Sequence, residues 1–253
     1  MRQRTARRAI LVALLLCGCA TRSAGIAPQV AFDEIAPGVW THTAYLEIEP
    51  WGPVASSGLV VVADAHIVLV DTAWTDEQTR EILDWADTTF GRPVTGAVFT
   101  HGHNDKMGGV AAVRERNIPN YANHLSNRLA RRWGLTPAAR VVEFDGDGEA
   151  DAVAELAPLT LFYPGPGHTD DNIVVGVNGT EVLFVGCLVR PGSSGTLGNT
   201  NDANVGHWAD AVVAVTRRFP EASLVVPSHG APGSRALLDH TIELARRGAD
   251  PAQ

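Results

Sequence analysis

The sequence is poor in several features that mark common classes of protein. It has only three cysteines, more acidic than basic residues, and no low-complexity tract, internal repeat or recognisable linker. Its 253 residues are 45% apolar, which is normal for a globular protein with a sizeable core. The composition therefore predicts one large domain or two small ones, and it excludes a fibrous or repeat architecture.

The start of the chain lacks an apolar run long enough to span a bilayer as a permanent helix. The run Ala9 to Leu16 follows four arginines, and this layout is typical of an export signal. It ends in Leu16-Cys17-Gly18-Cys19, which resembles a bacterial lipoprotein signal that is cut before a lipid-bearing cysteine. We predict a signal peptide at 1–18, lipidation of Cys19, a flexible tether at 19–31 and a globular domain at 32–250.

These segments predict a periplasmic protein that is anchored to the outer membrane through lipidated Cys19. Ordinary secretion, with cleavage elsewhere, for instance after Ala24, would instead leave a soluble periplasmic protein. The sequence leaves the oligomeric state open, with a monomer favoured.

Removal of the predicted signal peptide makes the chain more acidic. Residues 1–18 contain four arginines and no acidic residue, so 16 Lys and Arg remain against 28 Asp and Glu, and the formal charge moves from −8 to −12. That balance argues against a nucleic-acid partner. With Cys19 lipidated, Cys187 has no disulfide partner, and it is either a buried apolar thiol or a metal ligand.

Six residues of the types that bind zinc stand in an informative order. The first three alternate along one short segment, so their side chains can point to the same side of an extended or turning chain. Each of the others lies where a strand is expected to end, or in the loop beyond it. Imidazole, thiolate and carboxylate are the donors that zinc accepts, and the set predicts a zinc site. The six are His101, His103, Asp105, His168, Cys187 and His229.

Hydrophobic periodicity predicts the elements that carry these residues. We predict strands at 59–63, 66–70, 97–100, 118–122, 172–177, 181–185 and 223–227. We predict helices at 76–88, 106–116, 204–219 and 234–247. Strands that alternate with helices in both halves predict an α/β fold of two β-sheets with helices on the outer faces, a four-layer αβ/βα sandwich with its site along one edge.

The order His-x-His-x-Asp, His, Cys, His resembles the metallo-β-lactamases of subclass B1. Matching stretches include 71–75, 105–109, 162–169 and 228–232, and the similarity runs from about residue 32 to 247. Related thioesterases, lactonases and RNA-processing enzymes usually have His after the Asp and a second Asp in place of the Cys. Lys106 and Cys187 therefore favour a β-lactamase.

The resemblance implies two Zn²⁺ ions per chain. The first would be held by His101, His103 and His168, and the second by Asp105, Cys187 and His229. A metal-bound hydroxide, oriented by Asp105, would hydrolyse the β-lactam amide bond of penicillins, cephalosporins and carbapenems and so give antibiotic resistance.

The resemblance also implies substrate contacts. Asn199 would help to stabilise the oxyanion, and Arg190 would bind the substrate carboxylate at a position where the family often has Lys. The segment 46–54 matches a mobile hairpin that closes over the antibiotic. The remaining predicted substrate-binding residues are Trp51, Trp74 and Asn104.

Two alternatives stay open. One is another hydrolase of the same fold, a lactonase or a thioesterase. The other is a non-enzymatic zinc-binding lipoprotein.

Overall fold

The computed structural model describes residues 30–249. The predicted signal peptide, the predicted lipidation site Cys19 and residues 19–29 of the tether lie outside this range. The first strand begins at Val30, two residues before the predicted start of the globular domain. Between residues 30 and 249, no helix has the length and apolar character needed to cross a membrane.

The larger of two sheets has seven strands, which lie side by side in chain order. Its first four strands pair antiparallel and the remaining pairs are parallel. The strands are β1 (Val30–Ala36), β2 (Val39–Ile48), β3 (Gly52–Val62), β4 (Ile67–Val70), β5 (Gly96–Phe99), β6 (Asn120–Asn123) and β7 (Arg140–Val142).

The smaller sheet has four strands in the order β11-β10-β9-β8. β10 and β11 are parallel, whereas the other two pairs are antiparallel. The strands are β8 (Leu159–Phe162), β9 (Val174–Val177), β10 (Val182–Gly186) and β11 (Leu224–Pro227). Because parallel strands end at the same edge, the residues that follow β10 and β11 come close together.

Six α-helices and one short 3-10 turn, Ala154–Leu156, complete the described part of the chain. The helices are α1 (Asp76–Phe90), α2 (Asn104–Met107), α3 (Val110–Glu115), α4 (His124–Arg132), α5 (Val205–Arg218) and α6 (Ala236–Gly248).

Three apolar cores separate four layers. The central core joins the two sheets through residues such as Leu59, Val98 and Phe184. An outer core packs α1, α3 and α4 against the larger sheet, and another packs α5 and α6 against the smaller one. The predicted four-layer αβ/βα sandwich is confirmed.

The predicted helix 106–116 is wrong as a single element. It is two helices, α2 and α3, which are separated by Gly108 and Gly109. A Cβ on Gly109 would lie 1.8 Å from Thr79 Oγ1, so this glycine permits close approach to α1. Helix α4 was not predicted because its buried face includes the polar residues Ser126 and Asn127, which weaken the apolar period.

A further close approach lies in the middle of β3, at Gly58. A Cβ there would lie 2.3 Å from His42 Nε2 and 2.3 Å from the Val70 carbonyl oxygen. We expect Gly58→Ala to lower the free energy of unfolding by about 1–3 kcal/mol, because the added methyl group overpacks two neighbouring strands. Urea denaturation of the zinc-free protein measures this loss.

Gly206→Ala is the matched control. Gly206 lies in α5, and nothing stands within 4 Å of a Cβ added there. Alanine in a helix is favoured over glycine by about 1 kcal/mol, so this variant should be as stable as the parent protein or more so. Equal destabilisation by the two substitutions would contradict the steric argument.

Candidate metal centre

The ends of strands from both sheets meet at one edge of the sandwich. His101 and His103 follow β5, whereas Cys187 follows β10 and His229 follows β11. Two backbone hydrogen bonds fasten the sheets together there: Ile173 N–H donates to the Thr100 carbonyl at 2.9 Å, and Ser57 N–H donates to the Ser228 carbonyl at 2.9 Å. Rigid strand ends therefore position residues that lie far apart in sequence.

Three histidine rings surround one point. The ring centroids of His101, His103 and His168 are 4.8, 5.0 and 5.3 Å apart, and each pair of rings is nearly perpendicular, at 78–85°. One nitrogen from each ring lies within 4.8 Å of the others. His101 Nε2 and His103 Nδ1 face each other at 3.2 Å. This spacing suits three imidazole nitrogens around one zinc ion.

A second set of donors lies beside the histidine cluster. Cys187 Sγ is 3.4 Å from Asp105 Oδ2 and 3.2 Å from His229 Nε2. His229 Nδ1 lies 2.7 Å from the Ala55 carbonyl oxygen, which can only accept, so Nδ1 carries the proton. Its Nε2 is left with a lone pair that faces the thiol and the carboxylate, the tautomer that a metal ligand requires.

The protonation states of the histidines suit a metal. Burial, with the nearby His103, lowers the pKa of His101 well below its usual value. Burial, again with His103, lowers the pKa of His168 to about 3. Burial also lowers the pKa of His229, against the opposing effect of Asp105. These three rings are therefore neutral at pH 7, as ligation needs.

Asp105 and Cys187 bind a metal in their ionised forms, whereas the histidines bind it in their neutral form. Burial favours the neutral acid, but the nearby Lys106 ammonium, the largest opposing charge, holds the pKa of Asp105 well below its usual range. Burial and the Asp105 charge raise the pKa of the Cys187 thiol well above its usual value. A thiolate beside a buried carboxylate needs a cation between them. The donor set therefore fits a bound zinc ion, which deprotonates a coordinating thiol.

Lys106 is the cation that supports this edge from within. Its ammonium is completely buried and donates to Ser56 Oγ at 2.6 Å and to the Ser57 carbonyl at 3.1 Å. It also pairs with Asp105 Oδ2 at 3.1 Å and lies 3.8 Å from Asp71 Oδ2. Burial raises the pKa of Asp71 to about 7, although Lys106 opposes the rise.

Three polar residues that touch the centre were not predicted. Asp202 Oδ2 lies 3.2 Å from His103 Nε2, and Asp171 accepts the Gly102 N–H at 2.7 Å. Ser56 Oγ donates to Asp105 Oδ2 at 3.1 Å. The sequence carries no local signal for these contacts, because each joins positions at least 49 residues apart.

Three of the five predicted substrate-binding residues lie on the surface. Trp51 is 69% exposed at the tip of the β2–β3 hairpin. Asn104 and Asn199 are also exposed, and Asn199 Oδ1 accepts the Asn201 N–H at 3.1 Å. Trp74 differs: it is buried, its Nε1 donates to the Ala44 carbonyl, and its ring centroid is 6.5 Å from that of His229.

Arg190 is a half-buried cation without an ion pair in the part of the chain described here. Its Nε is buried and has no hydrogen-bond partner. Burial lowers the pKa of its guanidinium, and its charge acts on His168 and His229. Gly198 lies against it: a Cβ there would be 3.0 Å from Arg190 Nη2. An unpaired guanidinium beside the donor cluster is suited to an anionic group.

The Metallo-beta-lactamase superfamily matches residues 51–229 of the chain. A metallo-beta-lactamase type 2 from Bacillus cereus is 35% identical over 223 residues, which cover 86% of this chain and 83% of the relative.

Solved structures agree in fold. The crystal structure of the metallo-beta-lactamase FIM-1 from Pseudomonas aeruginosa, in its mono-zinc form, is 48% identical with a TM-score of 0.83, and the match covers 88% of this chain and 97% of that one. A metallo-beta-lactamase from Erythrobacter litoralis is 44% identical with a TM-score of 0.84, and the match covers 87% and 97% of the two chains.

The Lys106 network generates a stability prediction. We expect Lys106→Met to lower the free energy of unfolding of the zinc-free protein by about 3–5 kcal/mol, because it leaves the buried carboxylate of Asp105 without its counter-charge. Chemical denaturation measures the change. Arg80→Met, which breaks the exposed pair with Glu115, is the control and should have little effect. Similar losses in both variants would contradict the role given to burial.

Proposed function

Because the chain belongs to the metallo-β-lactamase superfamily, we propose that it is a zinc-dependent hydrolase that opens the β-lactam ring of penicillins, cephalosporins and carbapenems, and so gives resistance to them. One observation carries the proposal. A cluster of three histidines lies beside buried Asp105 and Cys187 and half-buried His229, at the edge where the two sheets meet.

Two zinc ions per chain fit the donors. His101, His103 and His168 would hold the first, and Asp105, Cys187 and His229 the second. Bound zinc supplies a Lewis acid and lowers the pKa of coordinated water to about 7. Support comes from the distances within each set and from the neutral histidines.

The chain's own residues would bind and orient the substrate. The Arg190 guanidinium would bind the carboxylate next to the ring nitrogen with two parallel hydrogen bonds. The Asn199 side-chain amide would donate to the lactam carbonyl oxygen as negative charge develops on it. Asp105, fixed by Ser56 and Lys106, would accept a hydrogen bond from the attacking water and orient it.

The surrounding side chains would shape the pocket. Trp51, exposed at the hairpin tip, would cover the apolar part of the substrate, and Trp74 would form a wall beside His229. Asn104, at the start of α2, would contact polar groups at the rim.

We infer membership of subclass B1 from the complete ligand order, with Lys106 after the Asp and Cys187 as the soft donor. Within that subclass, the stretches 71–75 and 105–109 resemble the New Delhi metallo-β-lactamase. Asn104 stands where that enzyme has Gln, and Arg190 stands where the family often has Lys. The segment 46–54 also differs from that enzyme at several positions, so substrate preference is the property least transferable from it.

We also propose that the protein is exported to the periplasm as a monomer and is attached to the outer membrane through lipidated Cys19. The domain boundaries proposed with this processing are a signal peptide at 1–18, a tether at 19–31 and the hydrolase domain at 32–250. Support comes from the sequence Leu16-Cys17-Gly18-Cys19 after an arginine-rich start and a short apolar run.

Hydrolysis of a carbapenem by the purified, zinc-loaded protein tests the proposed activity. We expect turnover that a chelator abolishes and added zinc restores, because the donors need the ion to generate the nucleophile. A substrate panel with a lactone and a thioester distinguishes the related hydrolases. Full zinc loading without β-lactam turnover would overturn the proposal, and it would favour a lactonase, a thioesterase or a zinc-binding lipoprotein.

Zinc titration of Cys187→Ser tests the division of ligands. We expect the second zinc affinity to fall more than the first, because the substitution removes the only soft donor. His168→Ala is the matched variant and should weaken the first site more. Stepwise titration of the apoprotein against a chromophoric chelator reports both affinities. Equal loss from both sites in Cys187→Ser would contradict the assignment.

A further inference from the structure

The basic residues of this acidic protein are unevenly distributed. Residues 30–249 contain 27 Asp and Glu against 15 Lys and Arg, a formal charge of −12. Yet no acidic residue occurs between Glu115 and Glu143, a stretch that holds five of the 15 basic residues. The chain therefore gathers positive charge in one segment, which is the segment that contains α4.

Three of the five arginines in this segment lack an ion pair with the described residues, although Arg131 donates to the Asn127 carbonyl of its own helix at 3.3 Å. Arg116 pairs with Asp84 and Asp87 on α1, and Arg140 pairs with Glu155 at 2.9 Å. The remaining three, which are exposed on α4, form no ion pair with any residue from 30 to 249. These three are Arg128, Arg131 and Arg132.

Helix α4 holds this face outward. Its opposite side is buried through Ser126 and Ala130, and Asn123 Oδ1 caps its start by accepting the Leu125 N–H. Asn127, also on the buried side, accepts the Ala138 N–H at 2.7 Å and so ties the helix to the loop before β7. The arginines are therefore displayed on a fixed surface and not on a loop.

A large aromatic ring adjoins the arginines. Trp133 directly follows α4 and is 53% exposed, and the Arg132 guanidinium lies over its ring at 5.7 Å from the centroid. An exposed indole beside unpaired arginines is the combination that binds at the headgroup level of a membrane, where tryptophan is enriched and basic residues meet anionic lipids.

We propose that Arg128, Arg131, Arg132 and Trp133 form a docking surface for anionic phospholipid membranes. A nucleic acid fits less well, because three arginines offer few phosphate contacts and the rest of the molecule repels a polyanion. A membrane suits a small patch better, since only the facing surface has to be positive.

The reach of the chain is compatible with docking while Cys19 is embedded in the same membrane. Strands lie about 4.8 Å apart, so β6, which precedes α4, is roughly 24 Å across the sheet from β1. Eleven residues lead from Cys19 to Val30 and span at most roughly 36–40 Å. All four residues of the docking surface lie within residues 30–249, so the docking proposal does not depend on the proposed lipidation or hydrolysis.

Co-sedimentation of residues 30–249 with lipid vesicles tests the proposal without any N-terminal contribution. We expect this part to fold on its own, because the match with the FIM-1 structure covers 88% of this chain and 97% of the FIM-1 chain. We expect binding to vesicles of equal parts phosphatidylglycerol and phosphatidylcholine, weakening with salt, and none to phosphatidylcholine alone. Absence of a preference for the anionic vesicles would overturn the proposal.

Two charge-matched triple variants locate the surface. The first triple variant replaces three arginines of α4, Arg128→Gln, Arg131→Gln and Arg132→Gln. It should reduce partitioning of the protein onto anionic vesicles by roughly tenfold or more, because each basic residue contributes to binding at an anionic surface. Arg217→Gln with Arg246→Gln and Arg247→Gln removes the same charge from exposed positions on α5 and α6 and should change binding little.

Further measurements separate folding and partner identity from docking. Trp133→Ala should weaken vesicle binding by itself, and unchanged urea midpoints would show that all variants fold. An equal loss of binding in the two triple variants would refute α4 as the site. Tighter binding to a DNA oligonucleotide than to anionic vesicles would refute the membrane as its partner.

Discussion

A fully buried ammonium is the constraint on which the centre depends. Lys106 is the only lysine in the chain, and moving its charge out of water costs several kcal/mol unless partners compensate. The compensation comes from Asp105, Asp71 and the hydroxyl of Ser56, which belong to α2, the end of β4 and β3. One cation therefore links a helix and two neighbouring segments of the larger sheet at the edge where the donors lie, and it keeps Asp105 ionised there.

The same burial prepares the donors for a metal. Desolvation opposes charge, so His101 and His168 stay neutral, and Asp105 is charged because the Lys106 ammonium opposes that effect. At Cys187, burial and the Asp105 charge outweigh the opposing effects of Lys106 and Ser228, so the thiol holds its proton. Without metal, His101, His168, His229 and Cys187 are therefore neutral donors beside one paired carboxylate. Bound metal changes this balance most at the thiol, because a cation there stabilises the thiolate beside Asp105.

Local sequence patterns predicted most of the helices and strands near the site and all six proposed metal donors. They did not predict the contacts between residues far apart in the sequence. The strand before His101 was predicted because it is a short apolar run, and the same signal predicted strands at 172–177 and 181–185, which are β9 and β10. The contact of Asp202 with His103 has no such signature, since the fold alone brings these residues together. Helix α4 escaped prediction for a different reason: its face toward the protein is lined by Ser126 and Asn127, whose hydrogen bonds to the surroundings replace apolar packing.

The proposed metal ligands and the proposed substrate contacts differ in how firmly their surroundings hold them in place. Asp105 and Cys187 are buried behind strand ends that backbone hydrogen bonds join across the sheets, so a change there disturbs the core. Trp51 and Asn199 are exposed on a hairpin tip and a loop, where substitutions meet fewer neighbours. Under the proposed substrate contacts, changes in these exposed residues would alter which β-lactams bind while the donor geometry stays fixed. Arg190 is a proposed substrate contact that is nevertheless held in place. Its guanidinium is half buried against Gly198, and its backbone N–H donates to Thr241 on α6. Substrate charge is consequently the least adjustable part of the proposed specificity.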